Sequence, residues 1–188
     1  MSINPVHRRF TVDEYHKMAE AGILGEDDRV ELLEGEIVQM SPIGRRHAAH
    51  VKRINRIFTR TLGDRAVVGV QDPVRLDEHS EPQPDVVLLR PRADFYEQGH
   101  PGPEDVLLLV EVAETSLDAD RDYKLPLYAR NGIAEVWIVD IAGGVVEVNR
   151  RPGPTGYSES VRRSRRESLT VAAFSDTSFP VDEILGSA

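Results

Sequence analysis

The stretch DVLLLVEVAE at residues 105–114 is an almost continuous apolar run. Runs of this kind are typical of a central β-strand that is buried on both faces. The run is interrupted by Glu111, whose charge would be costly inside a sheet unless it is paired or bound to a cation. Glu111 is therefore a metal ligand, the buried partner of an arginine, or the end of a strand that reaches solvent.

The segments around this strand predict an α/β or α+β fold in which helices flank one mixed sheet. Residues 29–41 have the pattern of a β-hairpin, and residues 43–62 have the three- and four-residue apolar spacing of a long helix. A second helix is expected over residues 116–131, where Pro126 must either kink the helix or mark its restart. Short strands are expected over residues 66–70, 74–76, 85–89, 135–140 and 145–149.

Length and composition limit the class of protein. The chain has 188 residues, and we expect a single domain over residues 1–188. It has no cysteine, which excludes disulfide scaffolds and thiol chemistry. No apolar run approaches the roughly 20 residues that span a bilayer, and the N-terminus lacks the apolar stretch of a signal peptide. We therefore expect a cytoplasmic protein that does not cross a membrane.

The charge is negative overall but locally positive. With 23 Lys and Arg against 32 Asp and Glu, the net charge of −9 argues against a basic coat that binds nucleic acid by charge alone. The predicted helix over residues 43–62 nevertheless carries six basic residues and no acidic residue. Basic side chains on a helix can hold the phosphate backbone without reading sequence. The expected nucleic-acid-binding residues are Arg45, Arg46, His47, Lys52 and Arg53. A second basic run, residues 162–166, is a solvated strand edge or part of the same phosphate-binding rim.

Acidic side chains in apolar surroundings are the candidate catalytic residues. Glu34 lies at the predicted hairpin, Asp85 opens the strand DVVLL, and Glu111 interrupts the central run. Carboxylates that converge on one point attract a hard divalent cation such as Mg²⁺. Lys124, on the helix that follows, could orient or deprotonate a water, or neutralise charge on a phosphate. Alternatively, Lys124 is an ordinary helix lysine whose ammonium is exposed to solvent.

Other chemistries have little support in the sequence. His47 and His50 have a spacing that can hold zinc, but we expect His47 alone to point to the carboxylates and His50 to be structural or exposed. A Walker motif, a G-x-G-x-x-G loop and a G-x-S-x-G elbow are all absent from the sequence. Nucleotide binding and serine-based hydrolysis are therefore not indicated.

The order of the motifs resembles a known family. The matching pieces are ELLEGEIVQMSP with His47 after it, Pro84-Asp85 in EPQPDVVLL, then LLVEVAETSL and DRDYKLPLYARNGIAEVWIVD. In this order they resemble the Uma-type restriction endonucleases of the PD-(D/E)XK nuclease superfamily, over nearly the whole chain. The resemblance implies a restriction-endonuclease-like mixed β-sheet flanked by helices.

The resemblance also assigns roles to the acidic residues. Asp85 matches the motif aspartate and Glu111 the motif glutamate, and both are expected to bind Mg²⁺ or Mn²⁺. Glu34 matches the acidic residue of the N-terminal part of the site. Gln83, two residues before Asp85, could also line the site.

One position departs from the superfamily pattern. The superfamily has a lysine two residues after the glutamate, where this chain has Ala113. Residues two apart in a strand share a face, so the small Ala113 leaves room beside Glu111 for a side chain from elsewhere. The resemblance implies that Lys124, from the next helix, is the replacement.

The implied function is that of a Mg²⁺-dependent endonuclease that hydrolyses phosphodiester bonds of DNA. A homodimer is expected, because cleavage of both strands of a duplex suits two-fold symmetry. An alternative is a nuclease-fold module that binds nucleic acid or a protein and no longer cleaves, which the acidic balance and Ala113 favour. A third hypothesis is a hydrolase of another phosphate ester.

Overall fold

A computed structural model of the chain describes residues 7–25 and 27–186. Its α-helices are α1 (Val12–Glu20), α2 (Arg45–Leu62), α3 (Leu117–Ala119), α4 (Leu125–Arg130) and α5 (Val181–Leu185). A π-helical turn, Asp120–Lys124, joins α3 to α4, and 3₁₀ turns lie at Gly63–Arg65 and Pro103–Asp105. Within the described ranges, no helix is both long enough and apolar enough to cross a membrane.

Ten strands form three sheets within residues 7–25 and 27–186. They are β1 (Val30–Leu33), β2 (Glu36–Gln39), β3 (Val67–Gly69), β4 (Val86–Leu89), β5 (Val106–Ala113), β6 (Glu135–Asp140), β7 (Val145–Gly153), β8 (Gly156–Ser164), β9 (Ser168–Val171) and β10 (Phe174–Pro180). The main sheet has the order β3-β4-β5-β6-β7-β8, with β5 and β6 parallel and the other neighbours antiparallel. Two antiparallel pairs, β1-β2 and β9-β10, complete the set. The predicted mixed sheet flanked by helices is confirmed.

The central run forms β5, and its residues pack alternately into hydrophobic cores on the two faces of the sheet. Val110 and Val112 belong to the core that also holds Phe58 of α2 and Ile184 of α5. Leu109 belongs to the core on the opposite face, with residues of β1 and α4. Because strand residues alternate between faces, Glu111 shares the face of Leu109 and lies beside α4 and the β1-β2 hairpin.

The strand predicted at residues 74–76 is absent, and this segment is an irregular loop. The N–H groups of Val74 and Leu76 bond to the carbonyls of Pro82 and Ser80, within the same loop. Both side chains are nevertheless buried in the core beside α4. The apolar residues 74 and 76, which suggested a strand, are therefore buried without belonging to a sheet. A local turn supplies their backbone hydrogen bonds.

The helix predicted over residues 116–131 is interrupted by the π-helical turn. The N–H of Leu125 bonds to the carbonyl of Asp120, five residues earlier, and α4 begins at this point. Pro126 thus lies in the first turn of a new helix, where its missing N–H is not needed. Of the two expectations for Pro126, the restart is the one observed.

Candidate active site

A pocket of about 440 Å³ lies between the β1-β2 hairpin, the start of α2, the ends of β4 and β5, and the π-helical turn. Four of the carboxylates that line it are buried in the protein: Glu31, Asp85, Glu111 and Asp120. Lys124 lines the same pocket. Acidic groups from four separate parts of the chain therefore meet at one place.

Asp85 and Glu111 are brought together by strand pairing. The antiparallel register pairs Val86 with Val110, which places Asp85 across from Glu111. The Oδ2 of Asp85 accepts the backbone N–H of Val112 at 2.9 Å. This bond fixes the aspartate to the neighbouring strand.

Glu111 is buried and hydrogen-bonded. Its Oε1 accepts the hydroxyl of Tyr128 at 2.5 Å and the ammonium of Lys124 at 3.3 Å. Burial raises the pKa of Glu111 to about 8, and the nearby carboxylates act in the same direction against the opposing ammonium. Burial and the neighbouring carboxylates thus favour the protonated form of Glu111 when no cation is bound.

Lys124 is a largely buried ammonium, with 12% of its side chain exposed, rather than a solvated helix lysine. Its Nζ lies 3.0 Å from Oε1 of Glu31 and 3.3 Å from Oε1 of Glu111. Burial alone would lower its pKa, but the surrounding carboxylates raise the pKa of Lys124 above its ordinary value. Lys124 is therefore charged at neutral pH and suited to stabilising negative charge, not to removing a proton.

The hairpin contributes Glu31 to the pocket, whereas Glu34 lies outside it. Glu34 is in the turn between β1 and β2, with a φ of 49°, and its Oε1 is 2.7 Å from a guanidinium nitrogen of Arg130. Glu31 bonds to Lys124, and its Oε2 accepts the N–H of Gln83 at 3.1 Å. The structure therefore does not bring Glu34 to the carboxylate cluster, although the motif match suggested it.

His47 points into the cluster and His50 does not. The Nε2 of His47 is 2.9 Å from Oδ2 of Asp85, a hydrogen bond that is the main cause of the raised pKa of His47. The two ring nitrogens of His50 lie 2.7 Å and 3.0 Å from the carbonyls of Arg46 and Leu185. His50 joins α2 to α5, and the pair does not form a shared zinc site.

The model of the family described as "Uma2: Putative restriction endonuclease" matches residues 12–182. The chain belongs to the Uma2 family. This membership confirms the resemblance drawn from the motifs.

A solved structure has a similar fold. It is the crystal structure of a "putative nuclease belonging to DUF820" from Anabaena variabilis, with a TM-score of 0.70 and 16% sequence identity. The match covers 94% of this chain and 97% of that chain. At this identity the likeness shows a common fold. A comparison with curated proteins gave no match.

The basic residues of this Uma2 family member differ in exposure. Arg45, Arg46 and Lys52 are exposed on α2, while Arg53 is half-buried, with a nitrogen 3.4 Å from the carbonyl of Leu185. The second basic run is partly neutralised within the protein. Arg162 pairs with Glu147 at 2.9 Å, and Arg165 pairs with Asp182 at 3.1 Å. The exposed part of α2 is thus the more available surface for phosphate.

Sequence reasoning missed three groups of the site. Glu31 interrupts the apolar residues of β1, the same signal that identified Glu111. Tyr128, which lies one helical turn after Lys124, was not among the expected site residues. Asp120 gave no sequence signal, because the π-helical turn determines its direction. Its carboxylate accepts the hydroxyl of Ser116 at 2.7 Å, and burial raises its pKa.

Proposed function

We propose that this protein is a metal-dependent endonuclease that hydrolyses phosphodiester bonds in DNA. The observation that carries the proposal is the convergence of buried carboxylates around the ammonium of Lys124 in an open pocket. Membership of the Uma2 family, whose description reads "Putative restriction endonuclease", supports the choice of phosphodiester bonds. The exposed basic residues at the start of α2 adjoin the pocket through His47.

The side chains of the pocket fit a hard divalent cation. Mg²⁺ and Mn²⁺ prefer carboxylate oxygens, and a bound cation would favour the ionised form of Glu111, which burial disfavours by raising its pKa. Asp85 and Glu111 would hold the ion, and Glu31 is placed to assist. When bound, such an ion polarises the phosphate and lowers the pKa of a water.

The remaining groups have distinct tasks in hydrolysis. A water oxygen bonds to phosphorus while the bond from phosphorus to the leaving oxygen breaks. The water gives up a proton to solvent and the leaving oxygen takes one from solvent, while negative charge gathers on the phosphate oxygens in the transition state. The ammonium of Lys124 is placed to stabilise that charge. His47 holds the Asp85 carboxylate through its 2.9 Å hydrogen bond and is a positioning residue.

The deciding experiment is cleavage of supercoiled and single-stranded DNA with Mg²⁺, Mn²⁺ or EDTA. We expect cutting with either ion and none with EDTA. A folded protein that neither cuts DNA nor binds either ion would contradict the proposal and favour the module that only binds. Hydrolysis of a small phosphate ester without DNA cleavage would favour the third hypothesis.

Glu31 and Glu34 can be separated by matched substitutions. We expect Glu31→Gln to lower the cleavage rate by about 10–100-fold, because it removes a charge that holds Lys124 beside the metal-binding carboxylates. Glu34→Gln should change the rate less than about twofold, because its carboxylate pairs with Arg130 outside the pocket. Initial rates at saturating Mg²⁺ check this. The reverse order of effects would restore Glu34 to the site.

Phosphate contacts by α2 predict a salt-dependent affinity. Arg46→Ala should weaken binding to all DNA sequences similarly and reduce the slope of log K against log salt by about 1. Arg60→Ala, at the other end of α2, is the matched control and should change the slope little. Fluorescence anisotropy in EDTA at several salt concentrations measures both. An unchanged slope for Arg46→Ala would place the DNA elsewhere.

A homodimer remains part of the proposal. Two copies related by a two-fold axis would present two pockets to the two strands of a duplex. Sedimentation velocity with and without DNA tests this, and a monomer in both conditions would contradict it.

A further inference from the structure

Three side chains outside the pocket form a second cluster. His16 lies on α1, Glu81 lies in the loop before β4, and His100 lies in the loop before β5. One nitrogen or oxygen atom from each lies within 4.8 Å of the others. The Nε2 of His16 is 2.6 Å from Oε1 of Glu81, and the two imidazole rings are 5.9 Å apart, edge to face.

Glu81 has an oxygen without a partner. The residue is only 2% exposed, and its Oε2 has no hydrogen-bond partner within residues 7–25 and 27–186. Leaving a buried carboxylate oxygen unpaired is costly. The equally buried Glu135 shows the usual solution, since its Oε1 accepts the indole N–H of Trp137 and its Oε2 the N–H of Ala172. The Oε2 of Glu81 thus lacks a positively charged or hydrogen-bonding partner within the described residues.

We propose that His16, Glu81 and His100 bind a Zn²⁺ ion. Two imidazole nitrogens and one carboxylate oxygen are a typical zinc set, in contrast to the oxygen-rich pocket around Glu111. Tetrahedral ligands lie about 3.3 Å apart when metal–ligand bonds are roughly 2.0–2.1 Å. Small side-chain movements from the present spacing are therefore sufficient. His100 is exposed, so the ion can enter from solvent, and water can fill the fourth position.

The ion would act as a structural clamp. It would join α1 to the loops that precede β4 and β5. The N–H of Glu81 bonds to the carbonyl of Leu32 at 2.7 Å, so the same clamp supports β1, which carries Glu31 into the pocket. This site is separate from the proposed nuclease centre, and its existence does not depend on that function.

Zinc binding by substituted proteins tests the site. Bound Zn²⁺ after equilibrium dialysis and Tm are measured for the wild type, His16→Ala, His100→Ala and the exposed control His7→Ala. We expect the wild type and His7→Ala to hold one more ion than the two cluster variants. Their Tm should rise by about 5–10 °C at a Zn²⁺ concentration of about one hundred times Kd, a rise that both cluster variants lose. Equal binding by all four proteins would overturn the proposal.

A pocket variant distinguishes this site from the proposed nuclease centre. Glu111→Gln should keep the Zn²⁺-dependent rise in Tm, because Glu111 does not belong to the cluster. If Glu111→Gln loses the rise while His100→Ala keeps it, zinc binds in the pocket and the proposal is wrong. Because His100 is exposed, its replacement leaves the fold intact even if His16→Ala fails to fold.

Discussion

Glu111→Gln is expected to lower metal-dependent DNA cleavage by on the order of 10³-fold while the fold survives. Glutamine keeps the size of the side chain and can still accept the hydroxyl of Tyr128. It removes the negative charge that would hold the cation across from Asp85. Since the pKa of Glu111 is raised to about 8, the metal-free protein already tolerates a neutral side chain at this position.

The measurement is the initial rate on supercoiled DNA over a range of Mg²⁺ concentrations, with circular dichroism to confirm folding. Glu135→Gln is the matched control, because Glu135 is also a buried strand glutamate but pairs with Trp137 and Arg150 away from the pocket. It should cost stability and leave the rate per folded molecule nearly unchanged. Full activity of Glu111→Gln would remove Glu111 from the mechanism.

Lys124→Met is expected to lower the cleavage rate by about 10²–10³-fold without weakening Mg²⁺ binding. The ammonium would stabilise charge on the phosphate, so its loss affects the rate rather than the affinity for the ion. Removal of a positive charge beside Glu31 and Glu111 should, if anything, tighten binding of a cation. Calorimetric Mg²⁺ titration and single-turnover cleavage separate these two effects.

Lys124→Met should also lower the free energy of unfolding of the metal-free protein by about 3 kcal/mol. The change leaves Glu31 and Glu111 buried without the ammonium that lies 3.0 and 3.3 Å from them. Lys17→Met, on the exposed surface of α1, is the matched control and should leave rate and stability unchanged. A Lys124→Met protein that cleaves normally would leave Lys124 with a structural role only.

The local pattern of the sequence was sufficient to predict the strands and helices that surround the site. The apolar run of β5 identified a buried strand, and its single carboxylate identified Glu111. The apolar run after Asp85 identified β4, and antiparallel pairing then places the two carboxylates on neighbouring strands. Regular spacing also predicted α2 and the β1-β2 hairpin. These features are determined by periodicity over a few residues, which is what a sequence records directly.

Long-range packing decided the remaining features. Glu31 enters the pocket because it shares a face of β1 with Leu33, which also lines the pocket, whereas Glu34 lies in the turn and itself has a left-handed φ of 49°. The π-helical turn shifts the helix register, and it carries Asp120 and Lys124 to the carboxylates. His16, Glu81 and His100 are far apart in the chain and meet only when α1 packs against two loops.

The sequence by itself determined which segments are strands and helices, because the spacing of apolar residues along a short segment decides which of its faces is buried. The tertiary structure alone decided which charged side chains converge, because that depends on register between distant segments.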